Sequence, residues 1–510
     1  MTNFHLNIKL LPEERWWGGA VDDGVWMPFG EGDFARDLDP NPTNNQAAPF
    51  LVSSAGRFVW SEDPFSFVFQ DNELRVMSRR SELIFREGYG DLRQAYQTAQ
   101  ASYFPPRGEM PDPLLFTAPQ YNTWIELMYD QRQEKILAYA EAIIDHGMPP
   151  GVLMIDDNWQ EDYGVWRFHP ERFSDPKAMV DRLHELGFKV MLWTCPFVSP
   201  DSATARELAA RGLLLTDLDG EFAIRKWWNG FSAVLDFTNP QTVEWYVEQK
   251  KQLMNEYGID GFKLDGGDPV YYRDTDRCAI PSHASDQCRA FNLVGLNFSL
   301  NEYRAAWKTA GLPLAQRLAD KAHSWGTDGL GSLIPNGLAQ GLMGYAFTCP
   351  DMIGGGEYQN FTAHSKNLDQ ELIVRYAQCS ALFPMMQFSA APWRVLDEKH
   401  FSYCLNAARL HYKLGQEILE LAQHSALTGE PVIRHMAYVF PQQGFEDIND
   451  QFMLGNDLLV APVVKQGVTT KNIRFPEGRW VGDDGSVVEG PVSLEVRAPL
   501  ARLPWYRKQG

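Results

Sequence analysis

Acidic residues come directly after several apolar segments that this sequence predicts to be β-strands. Asp156 and Asp157 follow the segment 151–155, and Asp265 follows the segment 259–264. Because parallel strands of a barrel present their carboxyl ends at one face, we expect these carboxylates to lie close together. Carboxylates in an aromatic setting are typical of glycosidic bond cleavage, where one attacks the anomeric carbon and another protonates the leaving oxygen. Comparable positions after apolar segments are held by Trp193, Asp236, Asp268, Asp328 and Asp351.

Motifs for other chemistries are missing from the sequence. There is no His-Glu-x-x-His zinc motif, no Gly-x-Ser-x-Gly nucleophile elbow and no P-loop. The glycine run 354–356 does not have the spacing of a dinucleotide-binding fingerprint, and the 11 histidines form no i, i+4 pair on a predicted helix. We therefore expect a protein that uses neither a cofactor nor a metal ion.

The charge of the chain argues against nucleic acid and membrane surfaces as partners. Its 510 residues include 66 Asp and Glu against 46 Lys and Arg, which gives a net charge of -20. A negative field of this size repels phosphate backbones and anionic lipids. The aromatic residues, 13% of the chain, supply flat faces on which sugar rings can stack, so we expect a small glycoside as the binding partner. Whether the protein forms a homo-oligomer is left open.

The N-terminal residues and the cysteines favour a cytoplasmic location. The first residues, MTNFH, lack the basic start and the long apolar stretch of a signal peptide, and no run of about 18 apolar residues occurs in the sequence. The six cysteines are scattered without a Cys-x-x-Cys pair or metal-ligand spacing. They are typical of reduced residues within a core.

The central part of the chain alternates between strand and helix patterns. Helical faces end at Gly147, Gly187 and Gly258, and each is followed by an apolar strand. More than four such units favour a closed (β/α)8 barrel, an α/β fold of the TIM type, over an open sheet. We predict a short N-terminal β-rich domain at 1–108, the catalytic barrel at 109–415 and a C-terminal antiparallel β-domain at 416–510.

Several motifs, in order along residues 110–475, resemble glycoside hydrolase family 31. The segment 261–265 (GFKLD) is similar to the nucleophile strand of that family. Further matching segments are 170–173 (PERF), 235–240 (LDFTNP), 351–355 (DMIGG) and 451–463 (QFMLGNDLLVAPV). Two features depart from the family: the N-terminal region is short, and the segment 326–329 (GTDG) carries an extra residue relative to the usual Gly-Asp-Asn pattern.

Within the family, the sequence most resembles the myogenesis-regulating glycosidase branch, which has α-galactosidase activity. Asp156 and Asp157 belong to the segment DDNW, which is similar to the Asp-Asp-Gly-Trp of other α-galactosidases, where paired carboxylates bind sugar hydroxyls. The segments that carry the likeness to this branch are 119–124 (PQYNTW), 227–230 (WWNG), 332–335 (SLIP) and 386–389 (MQFS).

The resemblance implies two catalytic carboxylates. It implies that Asp265 is the nucleophile and that Asp328 is the general acid and base. Asp320, which is also suited to capping or to pairing with Arg317, and Asp351 are the alternatives for the acid/base. Lys263 lies two residues before Asp265 on the same face of the strand, so we expect it to pair with a carboxylate and to help keep Asp265 ionised.

The remaining predicted site residues bind the substrate. We expect the tryptophans to form the walls of a sugar pocket, although a buried Trp is often only part of a core. For Arg317, a structural ion pair within the barrel is the alternative to sugar binding. The predicted substrate-binding residues are Asp156, Asp157, Trp193, Trp228, Lys263, Arg317, Trp325, Asp351 and Trp393.

These observations predict a retaining, exo-acting α-glycoside hydrolase, with an α-galactoside as substrate. An α-glucoside or an α-linked sulfosugar is the alternative for the same chemistry. From another class of function, a catalytically inactive protein that binds carbohydrate is also compatible with the fold.

Overall fold

Eight parallel strands form the centre of the fold within residues 3–509, which are the residues that the computed structural model describes. Met1, Thr2 and Gly510, at the outer ends of the first and third predicted domains, lie outside the described residues. The order of these strands around the barrel is their order in the chain: Gln120–Asn122, Val152–Ile155, Lys189–Thr194, Gly261–Leu264, Leu300–Tyr303, Gln316–Arg317, Thr348–Cys349 and Gln387–Phe388.

The barrel is nearly closed. Neighbouring strands pair in parallel from the first strand to the seventh, and the eighth pairs with the first. At the remaining seam, the backbone N–H of Ile353 donates to the carbonyl of Gln387 at 2.9 Å. The predicted (β/α)8 architecture is therefore confirmed.

Helices cover the outside of the barrel, and local signals set where they begin and end. The side chain of Asp175 caps the helix Pro176–Glu185, and Gly258 ends the helix Pro240–Tyr257 in a left-handed conformation with φ of 84°. The other α-helices of this region are Leu114–Thr117, Trp124–Leu127, Gln133–Asp145, Ala203–Ala210, Ala284–Val294, Leu333–Leu342, Tyr358–His364, Gln370–Ser380, Pro392–Val395 and Glu398–Thr428, and its 3-10 helices are Pro269–Tyr271, Gly295–Asn297 and Leu330–Ser332.

Short strands extend from the loops at the carboxyl end of the barrel. They form a hairpin, Gln160–Asp162 with Val165–Phe168, and a small sheet of Phe197–Val198, Ile224–Trp227 and Gly230–Val234. The sheet is antiparallel and lies between the third and fourth barrel strands in the sequence.

The N-terminal region consists of β-sheets joined to the barrel. One strand from the barrel region, Ala306–Trp307, pairs with Gln46 and Ala47, so the two regions share a sheet. The helix Leu92–Tyr103 leads into the barrel. The elements before that helix are the strands Phe4–Lys9, Trp16–Ala20, Phe34–Asp37, Gln46–Ser53, Phe58–Ser61, Phe65–Gln70, Glu73–Ser78 and Leu83–Arg86 and the 3-10 helix Val21–Trp26.

The C-terminal region is an antiparallel β-sheet, as predicted from its sequence. The predicted boundary between residues 415 and 416 falls inside the helix Glu398–Thr428, which runs through it without a break. The sheet begins after that helix, with the strands Ile433–Arg434, Phe452–Leu454, Leu458–Val460, Thr470–Gly482, Val487–Arg497 and Trp505–Gln509 and the short helix Met436–Val439. Among residues 3–509, no helix is both long enough and apolar enough to cross a membrane.

Candidate active site

A pocket of about 250 Å³ opens at the carboxyl ends of the barrel strands. This is the face at which barrel enzymes carry their active sites. Six of the residues predicted from the sequence line it: Asp156, Asp157, Trp193, Trp228, Lys263 and Asp265.

Asp265 is held rigidly at the floor of this pocket. The strand Gly261–Leu264 ends directly before it, and the backbone N–H of Asp265 donates to the carbonyl of Thr194 at 2.8 Å. One carboxylate oxygen, Oδ2, accepts a hydrogen bond from Nε1 of Trp193 at 2.8 Å, and Oδ1 accepts one from the N–H of Gly266 at 3.0 Å. Its side chain therefore has a fixed orientation, as a nucleophile requires.

The charges around Asp265 favour its ionised form. Burial alone would raise its pKa, but the positive charges of Lys263, Arg304 and Arg317 outweigh burial and lower the pKa below the usual value. Nζ of Lys263 is 2.8 Å from Oδ2 of Asp156 and 4.0 Å from Oδ2 of Asp265. Lys263 is thus shared between two carboxylates of the pocket.

Asp157 lies in the same pocket in a different electrostatic environment. Its Oδ1 accepts hydrogen bonds from the N–H of Asn158 and from Gln160, and its Oδ2 accepts from the hydroxyl of Tyr163 and the amide of Asn229. Burial, which leaves 2% of Asp157 exposed, nevertheless raises its pKa to about 7. The adjacent Asp156 carboxylate adds to this rise.

Arg304 connects two carboxylates at the other side of Asp265. Its Nε is 3.9 Å from Oδ1 of Asp265, and its Nη1 is 3.8 Å from Oδ2 of Asp320. The guanidinium is held in place by Asp268, whose Oδ2 accepts from Nε at 3.1 Å. The two carboxylate oxygens of Asp265 therefore have different neighbours: Trp193 and Lys263 lie at Oδ2, and Arg304 lies at Oδ1.

Arg317 and Asp351 do not line the pocket. Arg317 bonds both to Asp351 and to Asp320, and only Asp320 faces the pocket. Nη1 of Arg317 donates to Oδ1 of Asp320 at 2.5 Å and to Oδ1 of Asp351 at 3.0 Å, and its Nε is 3.3 Å from the Glu302 carboxylate. Asp351 is fully buried, and burial, with the charge of Asp320 next, raises its pKa to about 6. Arg317 thus forms structural ion pairs within the barrel, which were the alternative to a role in sugar binding.

Three further predicted site residues, Asp328, Trp325 and Trp393, also lie outside the pocket. Asp328 is exposed on a loop that folds back on itself, with Gly329 N–H bonded to the carbonyl of Gly326, and its carboxylate accepts from Ser324. Nε1 of Trp325 donates to Asp369 at 2.9 Å, and its ring lines a separate cavity beside Asn449 and Lys465.

Trp393 packs away from the barrel mouth. Its ring stacks on His146 with ring centroids 4.8 Å apart and lies 5.9 Å from the ring of Tyr139. These contacts belong to the outer helices, because Tyr139 lies on the helix Gln133–Asp145.

Some pocket residues were not among the predicted site. Arg304 also follows a strand directly, but that strand, Leu300–Tyr303, is not an apolar run, and Arg304 is not a carboxylate, so the rule used for Asp265 did not select it. Asp320 was considered only as an alternative. Trp124 and Met352 lie in the segments 119–124 and 351–355, which carry the resemblance, but they were not selected as site residues, and the segment 356–359 has no comparable signal.

The matches to known families agree with this geometry. Residues 114–419 match the family model described as the Glycosyl hydrolases family 31 TIM-barrel domain, and residues 429–510 match the Glycosyl hydrolase family 31 C-terminal domain. The chain belongs to glycoside hydrolase family 31. The resemblance derived from the motifs is therefore confirmed.

Individual members of the family share the fold and part of the sequence. The chain is 33% identical to the Myogenesis-regulating glycosidase of Mus musculus, over 82% of this chain and 60% of the relative. It is 27% identical to Alpha-glucosidase 2 of Bacillus thermoamyloliquefaciens, over 75% of this chain and 51% of the relative. The chain thus spans less than two thirds of either protein.

Solved structures of the family have the same architecture. The GH31 dextranase of Flavobacterium johnsoniae, in a complex with glucose, superposes with a TM-score of 0.87 at 22% identity. The match covers 100% of this chain and 67% of the dextranase. At this level of identity, the comparison establishes the fold.

Proposed function

We propose that the protein is a retaining, exo-acting α-glycosidase in which Asp265 is the nucleophile and Asp320 is the general acid and base. The observation that carries the proposal is that these two carboxylates line one pocket on either side of the Arg304 guanidinium. Asp328, which the resemblance suggested as the acid/base, is exposed outside that pocket.

The first half of the reaction forms a covalent intermediate. The ionised Asp265 attacks the anomeric carbon while protonated Asp320 donates its proton to the glycosidic oxygen, and the carbon–oxygen bond to the leaving group breaks. Trp193 fixes the attacking carboxylate by its 2.8 Å hydrogen bond. Arg304 lies beside both groups and balances the negative charge that they share.

The second half of the reaction releases the sugar. Asp320, now a carboxylate, takes a proton from water, and the water oxygen attacks the anomeric carbon and displaces Asp265. Each displacement inverts the anomeric centre, so the product keeps the α-configuration of the substrate. Asp320 is suited to both roles because its side chain is 31% exposed, which admits water, while Arg317 holds it in place.

We propose an α-galactoside as the substrate. The support is the sequence likeness to the α-galactosidase branch, because two of the segments that carry it contribute Trp124 and Trp228 to the pocket wall. Asp156 and Asp157, from the segment similar to other α-galactosidases, line the same pocket, and Asp156 is suited to accept hydrogen bonds from sugar hydroxyls.

A panel of nitrophenyl α-glycosides tests this proposal. We expect the highest kcat/KM with the α-galactoside, compared with the α-glucoside and the α-xyloside, and loss of that activity in Asp265→Asn. A higher kcat/KM with the α-glucoside would contradict the substrate. Binding of galactose without turnover of any glycoside would contradict the reaction and favour an inactive carbohydrate-binding protein.

A further inference from the structure

The tip of one hairpin reaches the pocket from outside the barrel. Its strands, Ile224–Trp227 and Gly230–Val234, pair so that Trp227 lies opposite Gly230. Trp228 and Asn229 are therefore the two residues of the turn. The strand Gly230–Val234 also pairs with Phe197–Val198, but only through Ala233 and Val234, so the turn at the other end of the hairpin needs contacts of its own to hold it.

Trp228 lies next to Arg304 in the pocket. Its ring centroid is 5.1 Å from Cζ of Arg304, the residue that also contacts Asp320. The ring lines the pocket and the residue is 41% exposed, so part of the side chain is accessible to a substrate. The proposed general acid Asp320 must reach the glycosidic oxygen, so a ring on the arginine that contacts Asp320 is suited to stack on the leaving group.

Asn229 bonds to the opposite side of the pocket. Its Nδ2 donates to Oδ2 of Asp157 at 2.6 Å and to the hydroxyl oxygen of Tyr163 at 2.7 Å. Its Oδ1 accepts a hydrogen bond from the hydroxyl of Tyr129 at 2.9 Å. Both ends of the amide are therefore used, and the turn is fastened to three residues from other parts of the chain.

We propose that Asn229 is a positioning residue: its hydrogen bond to Asp157 holds the turn so that the Trp228 ring forms one wall of the pocket. This wall binds a ring-shaped leaving group, such as a second sugar. This inference rests on the proposed function. Two consecutive residues of one turn contact the two sides of the pocket, so the wall is in place only when the Asn229 amide is bonded. The preference for the leaving group then depends on Asn229 as well as on Trp228.

The leaving-group preference is measured as the ratio of kcat/KM for nitrophenyl α-galactoside to kcat/KM for α-galactosyl fluoride. Fluoride has no ring for Trp228 to contact, so changes at the sugar-binding side cancel in this ratio. We expect Trp228→Ala to lower the ratio about tenfold, the loss of one aromatic contact. Asn229→Ala should lower it to a similar extent, and the double variant no further, because both changes remove the same wall.

Two further variants make the test specific. Phe231 lies on the same hairpin and is 63% exposed, so Phe231→Ala is the matched control and should leave the ratio unchanged. Tyr129→Phe removes one hydrogen bond to Asn229 and keeps the ring, so it should lower the ratio in the same direction by a smaller factor. This second variant also covers the case in which Asn229→Ala does not fold.

The outcomes separate this inference from the proposed function. If Asn229→Ala lowers kcat/KM equally for both substrates, the residue acts only on Asp157 and the inference is wrong. If the losses in the double variant multiply, Trp228 and Asn229 act independently, which also contradicts it. If the wild-type protein hydrolyses neither substrate, the proposed function itself fails.

Discussion

Nζ of Lys263 lies 4.0 Å from the Oδ2 atom of Asp265, two residues further along the same strand end. The two side chains point to one face of the barrel mouth because alternate residues of a strand share a face. Together with Arg304 and Arg317, this lysine lowers the pKa of Asp265 despite its burial. Asp265 is therefore ionised throughout the neutral pH range, as its proposed role as nucleophile requires.

The first prediction concerns this nucleophile. Asp265→Asn is nearly isosteric, so we expect a folded protein whose kcat is reduced by several powers of ten, each costing about 1.4 kcal/mol of transition-state stabilisation. Steady-state kinetics and mass spectrometry after a cyclophellitol-type inhibitor measure the effect. Asp328→Asn is the matched control and should keep wild-type activity and labelling. A turnover of a tenth or more in Asp265→Asn would exclude this residue as the nucleophile.

The second prediction distinguishes Asp320 from Asp328 as the acid/base. A poor leaving group needs protonation, so Asp320→Ala should lower kcat/KM for an unactivated disaccharide by roughly 10²- to 10⁴-fold. An activated nitrophenyl glycoside should be affected much less in its first step. Azide attacks without a base, so it should restore turnover of the variant and yield an α-glycosyl azide.

Asp328→Ala is the control for this experiment. It removes a carboxylate eight positions away that is exposed outside the pocket, so neither leaving-group sensitivity nor azide rescue is expected. If Asp328→Ala shows both effects and Asp320→Ala shows neither, the assignment of the acid/base to Asp320 is wrong.

The third prediction concerns stereochemistry. Double displacement requires carboxyl groups about 5–5.5 Å apart and returns the configuration of the substrate, whereas a single displacement by water inverts it. Proton NMR during early turnover should therefore detect the α-anomer of the released sugar first. Initial formation of the β-anomer would exclude the covalent intermediate.

The fourth prediction concerns the pH dependence of stability. Burial raises the pKa of Asp157 from 3.8 to about 7, so between these values the folded state holds a proton that the unfolded state has lost. The free energy of unfolding therefore falls as pH rises through this window, by at most about 1.4 kcal/mol per pH unit. Asp157→Asn cannot titrate and should lack this dependence.

Urea unfolding of both proteins at pH 5 and pH 8 measures this effect. We expect the stability of the wild-type protein, relative to Asp157→Asn, to be lower at pH 8 than at pH 5. A difference that stays constant or grows towards pH 8 would mean that Asp157 is already ionised at pH 5 in the folded protein.

The fifth prediction concerns the strand that carries the nucleophile. A Cβ atom at Gly261 would lie 2.0 Å from the carbonyl oxygen of Leu300 on the neighbouring strand. Gly261→Ala should therefore destabilise the protein by about 1–3 kcal/mol, the usual cost of overpacking. Thermal unfolding measures the loss. Gly32→Ala is the control, since a Cβ there meets no atom within 4 Å, and it should unfold at the wild-type temperature.

The sequence alone was sufficient for the barrel and for the position of Asp265. Both depend on local patterns: an apolar strand of a few residues, a glycine that ends the preceding helix, and a carboxylate directly after the strand. The strands of this barrel also follow their order in the chain, so a repeated local unit predicts the whole arrangement. Arg304 shows where this pattern ends, because it is not a carboxylate and the strand before it, Leu300–Tyr303, contains Asn301 and Glu302.

Only the tertiary structure decided that Asp320, and not Asp328, lines the pocket. Both are acidic residues on one loop, and the local sequence does not state which of them faces the pocket. Arg304, directly after one barrel strand, and Arg317, on the next, contact Asp320 at the pocket, while Asp328 is exposed beside the turn from Gly326 to Gly329.

For the tryptophans and Asn229, too, the sequence did not determine which side chains lie at the pocket. Trp228 lines the pocket, whereas Trp325 and Trp393 pack elsewhere, although all three were predicted as walls. The hydrogen bond between Tyr129 and Asn229 joins residues 100 positions apart in the chain. Periodicity and spacing describe neighbours within an element, and such contacts arise only when the elements pack, so only the tertiary structure determined which side chains meet in the pocket.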